Sequence, residues 1–196
     1  AAALLVEGGT ATVVLSSRSG RVACADDDLD ARVHASACVV ASDVGDAVGA
    51  LALLGRTAPV GVLHAAGVLR DQMLRGMAAD AVHGSFAPKA LAASHIDGCA
   101  ASATLEAMGL FSSVASTFGN VGQANYAAAN ATLDALALSR RVRGVLGSSL
   151  QIPAVHGAGM GASTLDAAQL DAMGGVSLGE FAACLAASLA PAHSAA

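Results

Sequence analysis

Tyr126 is the only tyrosine of the chain, and it stands thirteen residues after Ser113 and four before Asn130 within LFSSVASTFGNVGQANYAAAN (110–130). A phenol can act as a general acid by giving its proton to an oxygen on which negative charge develops. Its ordinary pKa of about 10 must then come down toward working pH, through a nearby cation or hydrogen bonds to the phenolate. A serine hydroxyl can donate to the same oxygen and hold a ketone in place. Lys89, the only lysine, is an available cation. An amide four residues beyond the phenol on a helix shares its face and can orient a water or a backbone group beside it. Serine-rich strand ends and helical tyrosines are common, so the Ser–Tyr spacing alone does not single out this chemistry.

The elements that must position these residues can be read from the apolar pattern. Five short runs, ATVVLSSR (11–18), SACVVASDV (36–44), PVGVLHAAG (59–67), MGLFSSVAS (108–116) and VLGSSLQIP (145–153), are each followed by a turn or a helical stretch. Continuous apolar runs suit strands covered on both faces, as in a parallel sheet. Helical spacing occurs in AVGALALLG near 47–55, MLRGMAADAV near 73–82 and GQANYAAANATLDALALSRR at 122–141. Strands alternating with helices predict a doubly wound α/β sheet. MGLFSS then delivers Ser113 to the C-terminal end of a strand, where such sheets place ligands.

The 196 residues suit one domain, with no internal repeat or linker. No run of eighteen strongly apolar residues suggests a membrane span. The net charge is −5 and no basic stripe offers a nucleic-acid surface. Cys24, Cys38, Cys99 and Cys184 are scattered without a CxxC pair, which suits free thiols in a reducing, cytoplasmic setting. The six histidines are dispersed, and no metal site is implied. The start, AAALLVEGG, is no signal peptide and reads as the second half of a helix. A nucleotide-binding sheet opens with a strand, a glycine-rich turn and a helix N-terminus that holds the pyrophosphate. GGT (8–10) precedes a strand and GAGMG (157–161) follows no βα turn, so neither supplies that turn. The expectation is therefore a Rossmann-like fold that is N-terminally truncated, its first strand and glycine-rich turn absent.

Residues 110–138 closely resemble the active-site segment of ketoreductase domains of modular polyketide synthases, in the short-chain dehydrogenase/reductase superfamily. The matching words are FSSVAS, GN-GQANYAAANA and LDALA. In that family the lysine lies upstream and the asparagine follows the tyrosine, reversing the usual superfamily order. Lys89 in PKAL, Ser113, Tyr126 and Asn130 show this arrangement. The resemblance implies that these four are the catalytic group. VVLSSRSG (13–20) is similar to the family's second strand and implies Arg18 on the 2′-phosphate of NADPH, for which a guanidinium is well shaped. SDV (42–44) resembles the segment beside the adenine and implies Asp43 and Val44 there. HAAG (64–67) looks like the strand-four turn, with Ala65, Ala66 and Gly67 against the cofactor. His64, which could be read as an acid/base residue or a ligand, becomes structural by the same match. QIPAVHGAGMG (151–161) resembles the stretch after strand six and implies Pro153 over the nicotinamide and substrate.

The resemblance spans nearly the whole chain. It implies one ketoreductase domain over 1–196, part of a larger multidomain synthase. Its activity would be NADPH-dependent reduction of a β-ketoacyl thioester carried on an acyl carrier protein, with the other synthase domains as partners. Domains of one stereochemical type carry LDD after HAAG, and those of the other often carry a tryptophan eight residues before the tyrosine. Here the first reads LRD, with Asp71 kept and Arg70 substituted, and the second position is Phe118. This leans toward the LDD type, whose product is a D-configured 3-hydroxyl. A fatty acid synthase domain or free-standing reductase would share the fold. A non-catalytic structural domain is the reading of another class, and the intact quartet speaks against it.

Overall fold

A computed structural model describes residues 2–10, 12–21, 37–101, 105–157, 159, 167–172 and 174–189. Each of the five apolar runs contains a strand: β1 (Val13–Ser17), β2 (Ala37–Ala41), β3 (Gly61–His64), β4 (Ala107–Ser113) and β5 (Ser148–Ile152). Every strand pair is parallel. The ladders form two sheets, β1–β2 and β3–β4–β5, with β4 central in the second. No ladder joins β1 to β3 among the described residues. Each of these two strands is left with a single partner, the consequence expected of a doubly wound sheet lacking its first strand.

Helix α1 (Ala2–Glu7) ends at Gly9, whose φ of 82° and bond to Val6 O (3.1 Å) close a helix C-terminus. GGT is thus a helix stop leading into β1, consistent with the reading that it is no phosphate turn. Helix α2 (Ala47–Thr57) is capped by Asp46, whose side chain accepts from Gly49 N. MLRGMAADAV departs from its helical expectation. Leu74–Gly76 makes a 3₁₀ turn, and the α-helix α3 starts only at Ala79 and runs to Phe86. Met73 and Leu74 are exposed, so their apolar spacing does not mark a buried helix face.

A π turn (Ala87–Leu91) joins α3 to α4 (Ala92–Ala100) without a break in the chain's course. A short helix α5 (Ala115–Phe118) follows β4, and the long α6 (Ala124–Val142) lies against β4 and β5. Alanine-rich sequence favours α6. Arg140 and Arg141 in its last turn and Gly144 at φ 72° end it. Its buried stripe of Asn125, Tyr126, Ala129, Asn130, Leu133, Ala137 and Arg140 follows helical spacing. The core joins Leu133 and Ala137 to Met108 and Leu110 of β4 and to Ala93 and Ile96 of α4. Two further helices, α7 (Ala167–Ala172) and α8 (Leu178–Leu189), complete the described elements.

Candidate active site

Ser113 is the last residue of β4, in register with Ile152 of β5. Its hydroxyl accepts from Ala115 N at 3.2 Å, which holds the side chain at the strand end. The chain then turns through α5 and enters α6, bringing Tyr126 back over that end. Asn125 fixes the entry. Its carbonyl oxygen accepts from Tyr126 N (2.9 Å), and its amide reaches Arg70 O (2.9 Å), Ala81 O (3.0 Å) and Ser85 Oγ (3.1 Å). The first turn of α6 is therefore tied to both the segment after β3 and α3.

Lys89 sits in the π turn, 3% exposed. Its ammonium donates to Phe111 O at 2.8 Å and stands 5.4 Å from the centre of the Tyr126 ring. Burial pulls its pKa down to about 8, against an opposing pull from the Asp134 carboxylate. Asn130, fully buried, donates from Nδ2 to Tyr126 O at 2.8 Å, while its Oδ1 has no partner in the structure. The expected amide beside the phenol therefore first braces the tyrosine's own backbone. Ser112 Oγ donates to Asn130 O (3.2 Å), joining β4 to the same turn.

The structure thus brings Lys89, Ser113, Tyr126 and Asn130 together. It corrects the expectation for the phenol itself, whose pKa is held above its ordinary value. Burial is the main cause, hydrogen bonding with Asn130 and Ser113 pulls the other way, and the Asp71 charge adds to the rise. With its pKa raised, the phenol keeps its proton at neutral pH. Asp71 is held beside the entrance to α6 by Gln123 Nε2 at 2.9 Å, and Gln72 N donates to Gly122 O at 2.8 Å. Phe118 is 83% exposed, pointing no bulk into the core. A cavity of about 400 Å³, lined by Leu69, Arg70, Asp71, Gln72, Asp80 and Ala81, opens next to Asp71.

The residues implied for the cofactor follow strand ends. Arg18 follows β1 and is exposed, and Asp43 and Val44 follow β2. Asp43 Oδ1 accepts from Gly45 N (2.9 Å), which orients the carboxylate. Ala65, Ala66 and Gly67 follow β3, and Pro153 follows β5. The loop after β2 meets the helix that follows the Lys89 turn: Val44 O lies 3.4 Å from His95 Nδ1 of α4. The exposed Arg18 guanidinium suits a phosphate, and the oriented Asp43 carboxylate at the next strand end can accept from the N–H or O–H groups of a nucleoside, so the residues present fit a phosphorylated dinucleotide. A glycine-rich turn for its pyrophosphate is not among the described residues. In GAGMG, only Gly157 and Gly159 lie within them.

Sequence reasoning missed Asp134. It falls four residues after Asn130 and eight after Tyr126, so helical spacing alone could have flagged it. Its carboxylate accepts from Ser116 Oγ (2.7 Å), Gln151 Nε2 (2.9 Å) and Ser149 Oγ. Burial alone would push that carboxyl up, but hydrogen bonds from Ser149, Ser116, Gln151 and Ser112 together hold it below the usual range. It therefore locks α6 to both strand ends as an anion. His64 is buried and bonds to Lys89 O, in keeping with a structural reading. Cys38, Cys99 and Cys184 are free thiols, and Cys24 lies outside the described residues. Among the described residues there is no cluster able to hold a metal, and no helix long and apolar enough to cross a membrane.

Comparison with known proteins accords with this geometry. A family model described as KR domain matches residues 1–157. The polyketide synthase GfsA of Streptomyces halstedii is 44% identical over 151 residues, covering 74% of this chain and 2% of that protein. The spectinabilin polyketide synthase system protein NorA' of Streptomyces orinoci is 52% identical over 89 residues, 45% of this chain and 2% of that protein. Among solved structures, an A-type ketoreductase from a modular polyketide synthase is 32% identical with a TM-score of 0.84, covering 96% of this chain and 42% of that one. The first ketoreductase of the tylosin PKS is 33% identical with a TM-score of 0.70, covering 80% and 35%. The chain thus spans a small fraction of these synthases and under half of the solved ketoreductases. Its match over residues 1–157 and its Rossmann-like parallel strands place it in the KR family: the chain belongs to the ketoreductase domains of modular polyketide synthases.

Proposed function

We propose that this chain is part of a domain that reduces a β-ketoacyl thioester, borne by an acyl carrier protein, to the β-hydroxyacyl thioester, with NADPH as reductant. The observation that carries the reading is the convergence of Lys89, Ser113, Tyr126 and Asn130 at the C-terminal end of β4. NADPH, when bound, supplies the hydride. Arg18 would hold its 2′-phosphate, Asp43 and Val44 would take the adenine end, and Ala65, Ala66, Gly67 and Pro153 would line the rest of its site. Ser113 donates a hydrogen bond to the ketone oxygen, and Tyr126 transfers its phenolic proton to that oxygen as charge develops. The Lys89 ammonium favours the phenolate left behind, and Asn130 holds the backbone that carries it. The flanking domains of a larger synthase, including the carrier, are the partners of this reading.

Asp71 and Phe118 carry the stereochemical part of the proposal, a D-configured hydroxyl. Chiral analysis of the product tests it, and an L-configured product would overturn it.

The test of the reaction is NADPH oxidation with a simple β-ketoacyl thioester, using the domain with its native flanking sequence. Tyr126→Phe is expected to lower kcat by about 10²–10⁴-fold, the range of general acid catalysis, while NADPH still binds. A variant as fast as the parent would remove Tyr126 from the chemistry. A folded parent that neither binds NADPH nor turns over would favour a non-catalytic structural domain instead.

A further inference from the structure

We propose that His64 is a positioning residue for this reaction: its Nε2–H holds the main-chain carbonyl of Lys89 in the π turn, and so fixes where the Lys89 ammonium stands relative to Tyr126. The inference rests on the functional reading above.

The helix carrying Lys89 is widened at Ala87–Leu91, where Ala92 N reaches back five residues to Ala87 O and is shared with Lys89 O. Such π turns loosen the hydrogen-bond ladder and occur often at functional sites. A carbonyl in that stretch can accept a second hydrogen bond. His64 Nε2 fills that role at 3.0 Å, from the last residue of β3. A carbonyl only accepts, so Nε2 must carry the hydrogen. Burial lowers the imidazole pKa to about 4, the Lys89 carbonyl favours the charged ring and the Lys89 charge opposes it, so the ring is neutral at pH 7. His64 is 4% exposed and in register with Leu110 of β4, so the donor itself has little freedom.

Lysine has a flexible four-carbon stem, and holding one end leaves the other loose. Here both ends are held. The backbone is held by His64 from β3, and Nζ by Phe111 O from β4. Two adjacent strands of one ladder thereby set the 5.4 Å separation between Nζ and the Tyr126 ring. A histidine that merely filled core volume would not need a donor at this one ring position.

The test compares His64→Gln with His64→Asn in the domain with its native flanks. A glutamine amide nitrogen falls near the place of Nε2, whereas an asparagine amide falls near that of Nδ1. His64→Gln should keep kcat within about threefold. His64→Asn should lose about 10–100-fold in kcat, the scale of a misplaced catalytic group, with KM within about threefold. Its pH–kcat profile should also have a displaced basic limb. Wild-type kcat in His64→Asn overturns the inference. So does an equal loss in both variants with the limb unmoved, the result of a packing role. If His64→Asn does not fold, His64→Gln decides alone by keeping or losing activity and limb. If the wild type itself does not turn over, the functional reading fails separately. Crystal structures of wild type and His64→Asn then decide, with Lys89 Nζ unmoved from Phe111 O overturning the positioning role.

Discussion

β4 buries four of its seven residues, on both faces, whereas β1 buries Val13 and leaves Val14 37% exposed. The β3–β4–β5 sheet has α6 and α4 packed on it through Leu133, Ala137, Ala93 and Ile96, and none of these four is more than 5% exposed. The β1–β2 pair contributes no residue to that buried cluster. The first region carries Lys89, Ser113, Tyr126 and Asn130, and the second carries Arg18, Asp43 and Val44. The difference teaches a division of labour. On the proposed function, proton transfer demands side chains held to fractions of an ångström, and the four residues proposed for it stand on elements locked by core packing and buried hydrogen bonds. Recognition of a charged phosphate by a guanidinium tolerates a looser support.

That contrast breaks or stands first on stability. Leu133 is fully buried between α6 and β4, and Leu133→Ala should cost about 2–5 kcal/mol in chemical denaturation of the flanked domain. Val14→Ala, on the exposed side of β1, should cost under about 1 kcal/mol. Equal losses at the two positions would show that β1–β2 is as tightly packed as the catalytic region.

Lys89 sharpens the comparison through pH. Its folded pKa of about 8 lies below the ordinary 10.5, so between these values the unfolded chain binds the additional proton. Stability therefore rises with pH across that window, by roughly 3 kcal/mol in total, and the cost of the buried charge is fully present below pH 8. Lys89→Met should flatten this slope, as read from denaturation midpoints at pH 7, 8, 9 and 10. In the parent, kcat/KM for reduction should fall above about pH 8 as the ammonium that favours phenolate is lost. An unchanged slope in Lys89→Met would mean that another group titrates there.

Much of this was legible beforehand, for physical reasons that differ by element. The strands announce themselves because burial on both faces forces continuous apolar runs, and MGLFSS and GVLH are such runs. Ser113 and Tyr126 were legible because a strand end and a helix start are local features of twenty residues. The π turn was not, since a single turn of wider hydrogen bonding inside a continuous helix leaves no signature in the residue types of PKAL. Nor was the Asp134 network, whose donors Ser149 and Gln151 arrive from a strand that only the fold brings near. MLRGMAADAV misled because its apolar residues Met73 and Leu74 face solvent. The upward push on the Tyr126 phenol comes from burial, which depends on how α6 seats against the rest.

The smallest expected effect probes the seam between the two regions. Gly45 lies in the loop after β2, and a Cβ added there would meet Asp43 Oδ1 at 3.0 Å and Ala87 O, in the π turn, at 3.2 Å. Its φ is not in the left-handed region, so Gly45→Ala strains no backbone torsion and acts through contact alone. The neighbours must give by a few tenths of an ångström, and the two sides should not give equally. Ala87 is held by the helix that buries Lys89, whereas the Asp43 side chain is exposed. Gly45→Ala should thus weaken NADPH binding about threefold, close to 0.7 kcal/mol, while kcat stays near the parent value. Fluorescence titration with NADPH and steady-state kinetics separate the two. A fall in kcat with NADPH affinity intact would reverse the order of stiffness, placing the yielding side at the π turn and Lys89.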